Sequence, residues 1–369
     1  MTETDRLPAQ ILAPLDIRGR ISRPQPKGLP VIGMGFNELP FGPTPRVAAA
    51  IAEMAGRPNR YGDPTCAPLR RAIGERFGLD PEEIVCGNGS EELLDVVARS
   101  FVAPGDEIVI SEYGYIQFPM IANRLRARLT KAPETDFTTD VDAMLAAVGP
   151  ETALVLLANP NNPTGTVLPV AEIARLADGI PRHTPLVIDL AYGEFVGLDY
   201  CAAVHDLARD RGNLIVTRTF SKAFGLAGLR AGWLHAPGRL LPGFYAARGM
   251  GSVNAFAQAA AIAALEDFDA AMERVAFIVA ERERMRRELA ALGVTSLESG
   301  ANFLMCAFED QAAGSADAFL EHLFDEAGIV ANRTREAGLE RFFRFSLSET
   351  AHNDALLREA AAFLGRNAV

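Results

Sequence analysis

Lysine is nearly absent from this chain. Of 36 lysines plus arginines, only Lys27, Lys131 and Lys222 are lysine, which leaves 36 − 3 = 33 arginines. Such a chain uses arginine wherever a solvated positive charge suffices. A retained lysine can answer a need that arginine cannot meet: its amine can lose a proton and attack a carbonyl, whereas a guanidinium stays protonated and delocalised. Cysteine is also scarce. Cys66, Cys86, Cys201 and Cys306 are scattered without a C-x-x-C pair, which excludes a zinc ribbon or disulfide framework and points to a reducing cytoplasm.

Positive charge is in deficit overall. The formal net charge is −11 and the isoelectric point is near 5.1, so the basic face that neutralises nucleic-acid phosphates is not expected. The arginine-rich stretch ERERMRREL alternates with glutamate at helical spacing and reads as a salt-bridged, solvent-facing helix. No apolar run approaches the roughly 18 residues of a membrane span. The opening MTETDRLPAQ is polar and acidic, unlike a secretory leader.

What is present is alternation. An extended, proline-rich arm is expected over 1–36, with Pro8, Pro14, Pro24, Pro26 and Pro30. Helices are expected at 45–56 and 67–78. Strands follow at 83–87, 106–111, 152–160, 185–192, 213–221 and 229–236, the early ones each followed by a helix. Several are continuous apolar runs, as in strands buried on both faces. The pattern predicts an α/β fold with a mostly parallel, doubly wound sheet in a large domain (37–245), and a smaller α+β C-terminal domain (246–369).

In such sheets, ligands gather at the carboxyl ends of strands. Asn88-Gly89-Ser90-Glu91 follows one strand and opens a helix; NPNNPTG follows another; Asp189 ends LVID; Ser221-Lys222 ends LIVTRTF; Arg230 lies eight residues further on. Each alone has an ordinary explanation as a cap, a turn or a solvated charge. Together they offer a lysine for a Schiff base, a carboxylate for a protonated pyridine nitrogen, and a helix N-terminus with Ser221 and Arg230 for a phosphate. That is the chemistry of pyridoxal 5'-phosphate.

The chain resembles the fold type I pyridoxal phosphate-dependent aminotransferases, and within them the histidinol-phosphate aminotransferase family. NELPFGP, NRYGDP, GNGSEEL, EYGY, NPNNPTG, IDLAYGEF, TFSKAFGLAGLRAGW and FRFSLSE carry the resemblance, in family order along nearly the whole chain. It implies that Lys222 bonds the cofactor and shuttles the proton, that Asp189 pairs with the pyridine nitrogen, and that Asn162 and Tyr192 bond the phenolic oxygen. Tyr113 is expected to stack on the ring. Ser90, Glu91, Thr219, Ser221 and Arg230 are expected around the phosphate. Tyr61 would reach the phosphate of a neighbouring subunit, which implies a homodimer with shared sites. Arg344, with Asn162 and Asn37, falls on the substrate side. Tyr115 and Trp233 are read as core residues.

The family pattern breaks on that side. A G-I-x-x-R segment should supply a second arginine for a substrate phosphate, but GIVANRT places Asn332 there and Arg333 one step late, on the opposite face of a strand. Residues 1–60 contain no tyrosine, and RGMGSVNAFAQ lacks the expected P-F-N-x-N type of stretch. The expected reaction is ping-pong transfer of an amino group to a 2-oxo acid. An α-amino acid gripped by Arg344 is favoured as donor over histidinol phosphate. Decarboxylation, elimination or cyclisation on the same cofactor, and a non-catalytic binding protein, are the alternatives.

Overall fold

The computed structural model describes residues 28–310, 315–334 and 336–365. Most of the expected arm, with Lys27, lies outside the described residues. Its last part forms the two-residue strand Ile32–Gly33, which pairs in parallel with Ile329–Val330.

A seven-stranded sheet forms the larger layer. Its spatial order is Ile84–Gly87, Gly232–His235, Leu214–Thr219, Leu186–Asp189, Thr152–Ala158, Glu107–Ser111 and Arg128–Ala132. All neighbours run parallel except Gly232–His235, which is antiparallel to both of its own. The three central strands are apolar because helices cover both faces: Leu214, Ile215 and Val216, and likewise Leu186, Val187 and Ile188, are fully buried.

Several elements escaped the sequence reading, two of them in or beside the large sheet. Arg128–Ala132 is an edge strand whose first four residues are exposed or half-buried, so it carries no apolar run. The helix Leu198–Asp210 lies between two strands that were read as consecutive; it buries Cys201, Val204, His205 and Ala208.

A second, four-stranded antiparallel sheet has the order Val294–Ser296, Phe303–Phe308, Phe343–Ser346, Asn332–Arg333. It packs with the helices Phe268–Ala291, Ala316–Ala327 and Thr350–Phe363 around Phe303, Phe319, Phe343 and Phe345. The alanine-rich helix Ala255–Glu266 falls after the expected boundary at 245, but it packs against Pro45–Ala55 and Ala67–Phe77. Small side chains on all its faces let it sink into that layer.

The helix bearing ERERMRREL is not wholly solvent-facing. Glu281 and Arg282 are buried, and Arg284 bridges Glu281, Glu288 and Asp354 of the last helix. Among the described residues, no helix is long and apolar enough to cross a membrane.

Candidate active site

Three parallel strands end side by side, and their last residues open on one cavity of about 390 Å³. Ala158 pairs with Asp189 across one ladder, and Asp189 with Thr217 across the next. Lining this cavity are Ser90, Glu91, Asn162, Asp189, Tyr192, Thr219, Ser221, Lys222, Arg230 and Arg344. Residues spread over 255 positions thus meet at one place, as the chain crossings of a doubly wound sheet dictate.

One end of the cavity is built for an anion. Gly89, at φ +86°, turns the chain into the helix Ser90–Phe101, whose first N–H groups have no side-chain cap. Arg230 Nη1 lies 3.3 Å from Ser221 Oγ, and Arg230 Nη2 lies 3.4 Å from Glu91 Oε2. Thr219 Oγ1 accepts from the Ser221 N–H at 3.1 Å, which shapes the turn before Lys222. Gly232 lets the neighbouring strand pass beneath: a Cβ there would lie 2.5 Å from the Ser90 nitrogen.

Asp189 lines the same cavity and is 3% exposed. Its carboxylate accepts from Thr217 Oγ1 at 2.9 Å. Burial pushes its pKa up to about 7, with Thr217 opposing and the charge of Glu91 adding to the rise. A buried carboxylate so poorly compensated suits a cationic N–H partner.

Lys222 lines the cavity too. Its Nζ donates to the carbonyls of Asn37 (3.0 Å) and Phe36 (3.2 Å) and stands 5.6 Å from the Tyr192 ring centre. Burial lowers its pKa to about 8, with Arg344 the next cause and Arg230 a lesser one; Glu38 and Glu91 oppose. Tyr192 Oη accepts from Asn37 Nδ2 (2.8 Å) and Asn162 Nδ2 (3.3 Å), and burial raises its pKa to about 12.

Arg344 is 8% exposed and donates to Asn162 Oδ1 and to the Gly35 carbonyl (3.3 Å), while its buried Nε has no partner among the described residues. Asn332 sits directly across the ladder from Arg344, and its Nδ2 also donates to the Gly35 carbonyl, at 3.0 Å. Arg333 turns to the other face and pairs with Asp317 at 2.5 Å. Arg341 stacks over Phe342, 4.8 Å from its ring centre.

Two tyrosines exchange places relative to expectation. Tyr113 does not line the cavity; its ring packs against Phe137 at 5.9 Å, beside Leu339 and Phe342. Tyr115 does line it and donates to Glu91 Oε1 at 2.6 Å. The reason is the turn after Glu107–Ser111: Asn161 Nδ2 bonds the Tyr113 carbonyl, and the chain re-enters the cavity wall two residues later. Asn37 lines the wall, but its side chain is 2% exposed and engaged with Tyr192 and Ser346, not presented to a substrate. Trp233 is core, as expected. Tyr61 is fully exposed on the loop before Ala67–Phe77.

The family profile for class I and II aminotransferases matches residues 30–364. The chain belongs to that family. Histidinol-phosphate aminotransferase of Ruegeria pomeroyi is 41% identical over 335 residues, covering 90% of this chain and 91% of that one. The enzyme of the same name from Rhodopseudomonas palustris strain TIE-1 is 39% identical over 342 residues, covering 92% and 93%. The crystal structure of histidinol-phosphate aminotransferase from Sinorhizobium meliloti, in complex with pyridoxal-5'-phosphate, is 34% identical. It superposes with a TM-score of 0.85 over 91% of each chain.

Proposed function

We propose that this chain is a pyridoxal 5'-phosphate-dependent aminotransferase that moves an amino group from an α-amino acid to a 2-oxo acid. The observation that carries the reading is Lys222 Nζ, with a pKa near 8, in one cavity with the poorly compensated carboxylate of Asp189 and an uncapped helix N-terminus. Pyridoxal phosphate supplies an aldehyde for the amine and a ring that accepts the electron pair of a broken Cα bond.

The remaining work falls to the protein. Asp189 holds a proton at the pyridine nitrogen. Tyr192 and Asn162 serve the phenolic oxygen. The first N–H groups of Ser90–Phe101, with Thr219, Ser221 and Arg230, hold the phosphate dianion. Tyr115, not Tyr113, is the aromatic wall. Lys222 Nζ takes and returns the substrate's Cα proton, for which an amine near pH 8 is matched to the working range.

Arg344 grips the donor's carboxylate. One guanidinium suffices for that group, whereas a phosphate dianion calls for a second cation, and Asn332 stands where it would be. The second reading, histidinol phosphate as donor, is favoured by the relatives of that name.

A homodimer with shared sites, a cytoplasmic location, and a large unit over 37–245 with a smaller one over 246–369 belong to the same proposal. They are supported by exposed Tyr61, four free cysteines and the two separate sheets.

The test starts with borohydride reduction of the purified enzyme. The cofactor's mass should become fixed on the peptide containing Lys222; a label on Lys27 or Lys131 would end the reading. A panel of L-amino acids and histidinol phosphate, with products weighed by mass spectrometry, then separates transfer from decarboxylation and ranks the donors. A kcat/KM for histidinol phosphate more than ~100-fold above every amino acid, ~2.7 kcal/mol of transition-state binding, would replace the first donor by the second.

A further inference from the structure

Asn37 is hydrogen-bonded to both Tyr192 and Lys222, the groups that act nearest the reacting atoms. It holds φ +55°, a left-handed backbone that asparagine tolerates and β-branched residues avoid. Five hydrogen bonds keep it there. Its N–H donates to Ser346 Oγ (2.7 Å), and Ser346 Oγ in turn donates to Asn37 Oδ1 (3.4 Å). Its carbonyl accepts from Asn302 Nδ2 (3.1 Å) and from Lys222 Nζ (3.0 Å), while its Nδ2 donates to Tyr192 Oη (2.8 Å). Asn302 and Ser346 flank or belong to strands of the small sheet; Lys222 and Tyr192 follow strands of the large one.

The direction of the Tyr192 proton follows from counting donors. Asn162 must turn its Nδ2 toward Tyr192, because its Oδ1 accepts from Arg344, which has only donors. Asn37 does the same: its Nδ2 donates to Tyr192 Oη while its Oδ1 accepts from Ser346 Oγ. Two amides thus fill both lone pairs of Tyr192 Oη, and the hydroxyl hydrogen is left the third direction. The other titratable groups facing Tyr192 are Arg344, Asp189, Tyr115 and Lys222.

We propose that Asn37 is a positioning residue: its side chain aims the Tyr192 hydroxyl proton into the cavity, and its backbone carbonyl holds the Lys222 amine in reach. This rests on the proposed cofactor chemistry for its consequences, but its two halves separate experimentally. Asn37→Gly keeps the left-handed backbone and deletes the amide. Asn37→Val drives the backbone out of that region.

The first arm is an absorbance–pH titration of the cofactor chromophore. Asn37→Gly should move its midpoint by about one pH unit in the parent and by nothing in a Tyr192→Phe background, since the effect travels through that hydroxyl. Equal shifts in both backgrounds, or none in either, would overturn the side-chain half.

The second arm needs no cofactor. In a Lys27→Arg/Lys131→Arg enzyme, Lys222 is the sole ε-amine, and its acylation by acetic anhydride is followed by peptide mass. Asn37→Val should acylate several-fold faster, with Asn37→Gly close to the parent; equal rates in all three would overturn the backbone half. Asn37→Ala repeats the measurement should the valine variant not fold. A parent enzyme without any chromophore would count against the proposed function alone, because the acylation arm still decides whether Asn37 holds Lys222.

Discussion

Asp189 is a buried carboxyl whose charged form its neighbours barely compensate, and this makes a signed prediction. Its pKa in the folded chain is about 7, against 3.8 ordinarily. Between those values the folded protein retains a proton that the unfolded chain has lost. Stability therefore falls as pH rises through this window and levels off above it. In the cofactor-stripped protein, Asp189→Asn should gain on the parent as pH climbs from 4 to 7, read as urea midpoints at each pH; parallel curves would remove the buried charge from the account. The same substitution should retain cofactor yet lose most turnover, because an amide cannot hold the ring nitrogen protonated. Residues of this kind were legible in the sequence: Lys222, Asp189, Asn162 and Arg230 each sit at a strand end or turn that the pattern located. Tyr115 was not, because two tyrosines two positions apart differ only in which one the turn aims inward.

At the scale of elements, a strand's alternation decides the substrate side. Asn332 and Arg344 are cross-strand partners, whereas Arg333 points away to Asp317. Asn332→Arg would place a second guanidinium beside Arg344. It should raise kcat/KM for histidinol phosphate relative to an amino acid by roughly 10- to 100-fold, one charged hydrogen bond or so; an unchanged ratio in steady-state assays would mean that the phosphate is not bound there. The helix N-terminus offers a second test. Gly232→Ala meets backbone at 2.5–2.9 Å, namely the Ser90 nitrogen, the Gly89 carbon and the Arg218 oxygen, which side-chain motion cannot relieve. It should cost about 1–3 kcal/mol of stability and weaken cofactor binding with it, by calorimetry and cofactor titration. Native-like affinity would show that the anion end does not depend on this close approach.

For the whole molecule, the exposed Tyr61 gives the prediction. Arg248, buried in the loop after the large sheet, donates to the carbonyls of Cys86 (2.7 Å) and Pro64 (2.5 Å) and so ties the Tyr61 loop to the sheet. If Tyr61 completes a partner's site, Tyr61→Phe should weaken cofactor affinity. Co-expressed Tyr61→Ala and Lys222→Ala chains should then recover activity that neither has alone, since a mixed dimer contains one site with both residues intact. Failure of complementation in a verified mixed dimer would confine each site to one chain. The sequence by itself determined the α/β class and where along the chain the buried strands lie, and it put Lys222, Asp189, Asn162 and Arg230 at strand ends and turns, because buried parallel strands demand apolar runs and strand ends expose whatever polar residue follows. It could not report the edge strand Arg128–Ala132, the helix Ala255–Glu266 sunk into the large layer, or the choice of Tyr115. Nor could it show that Asn37 faces Tyr192 and Lys222 rather than substrate. Those depend on contacts between residues far apart in the chain, and local pattern carries no information about which distant side chain fills the space opposite.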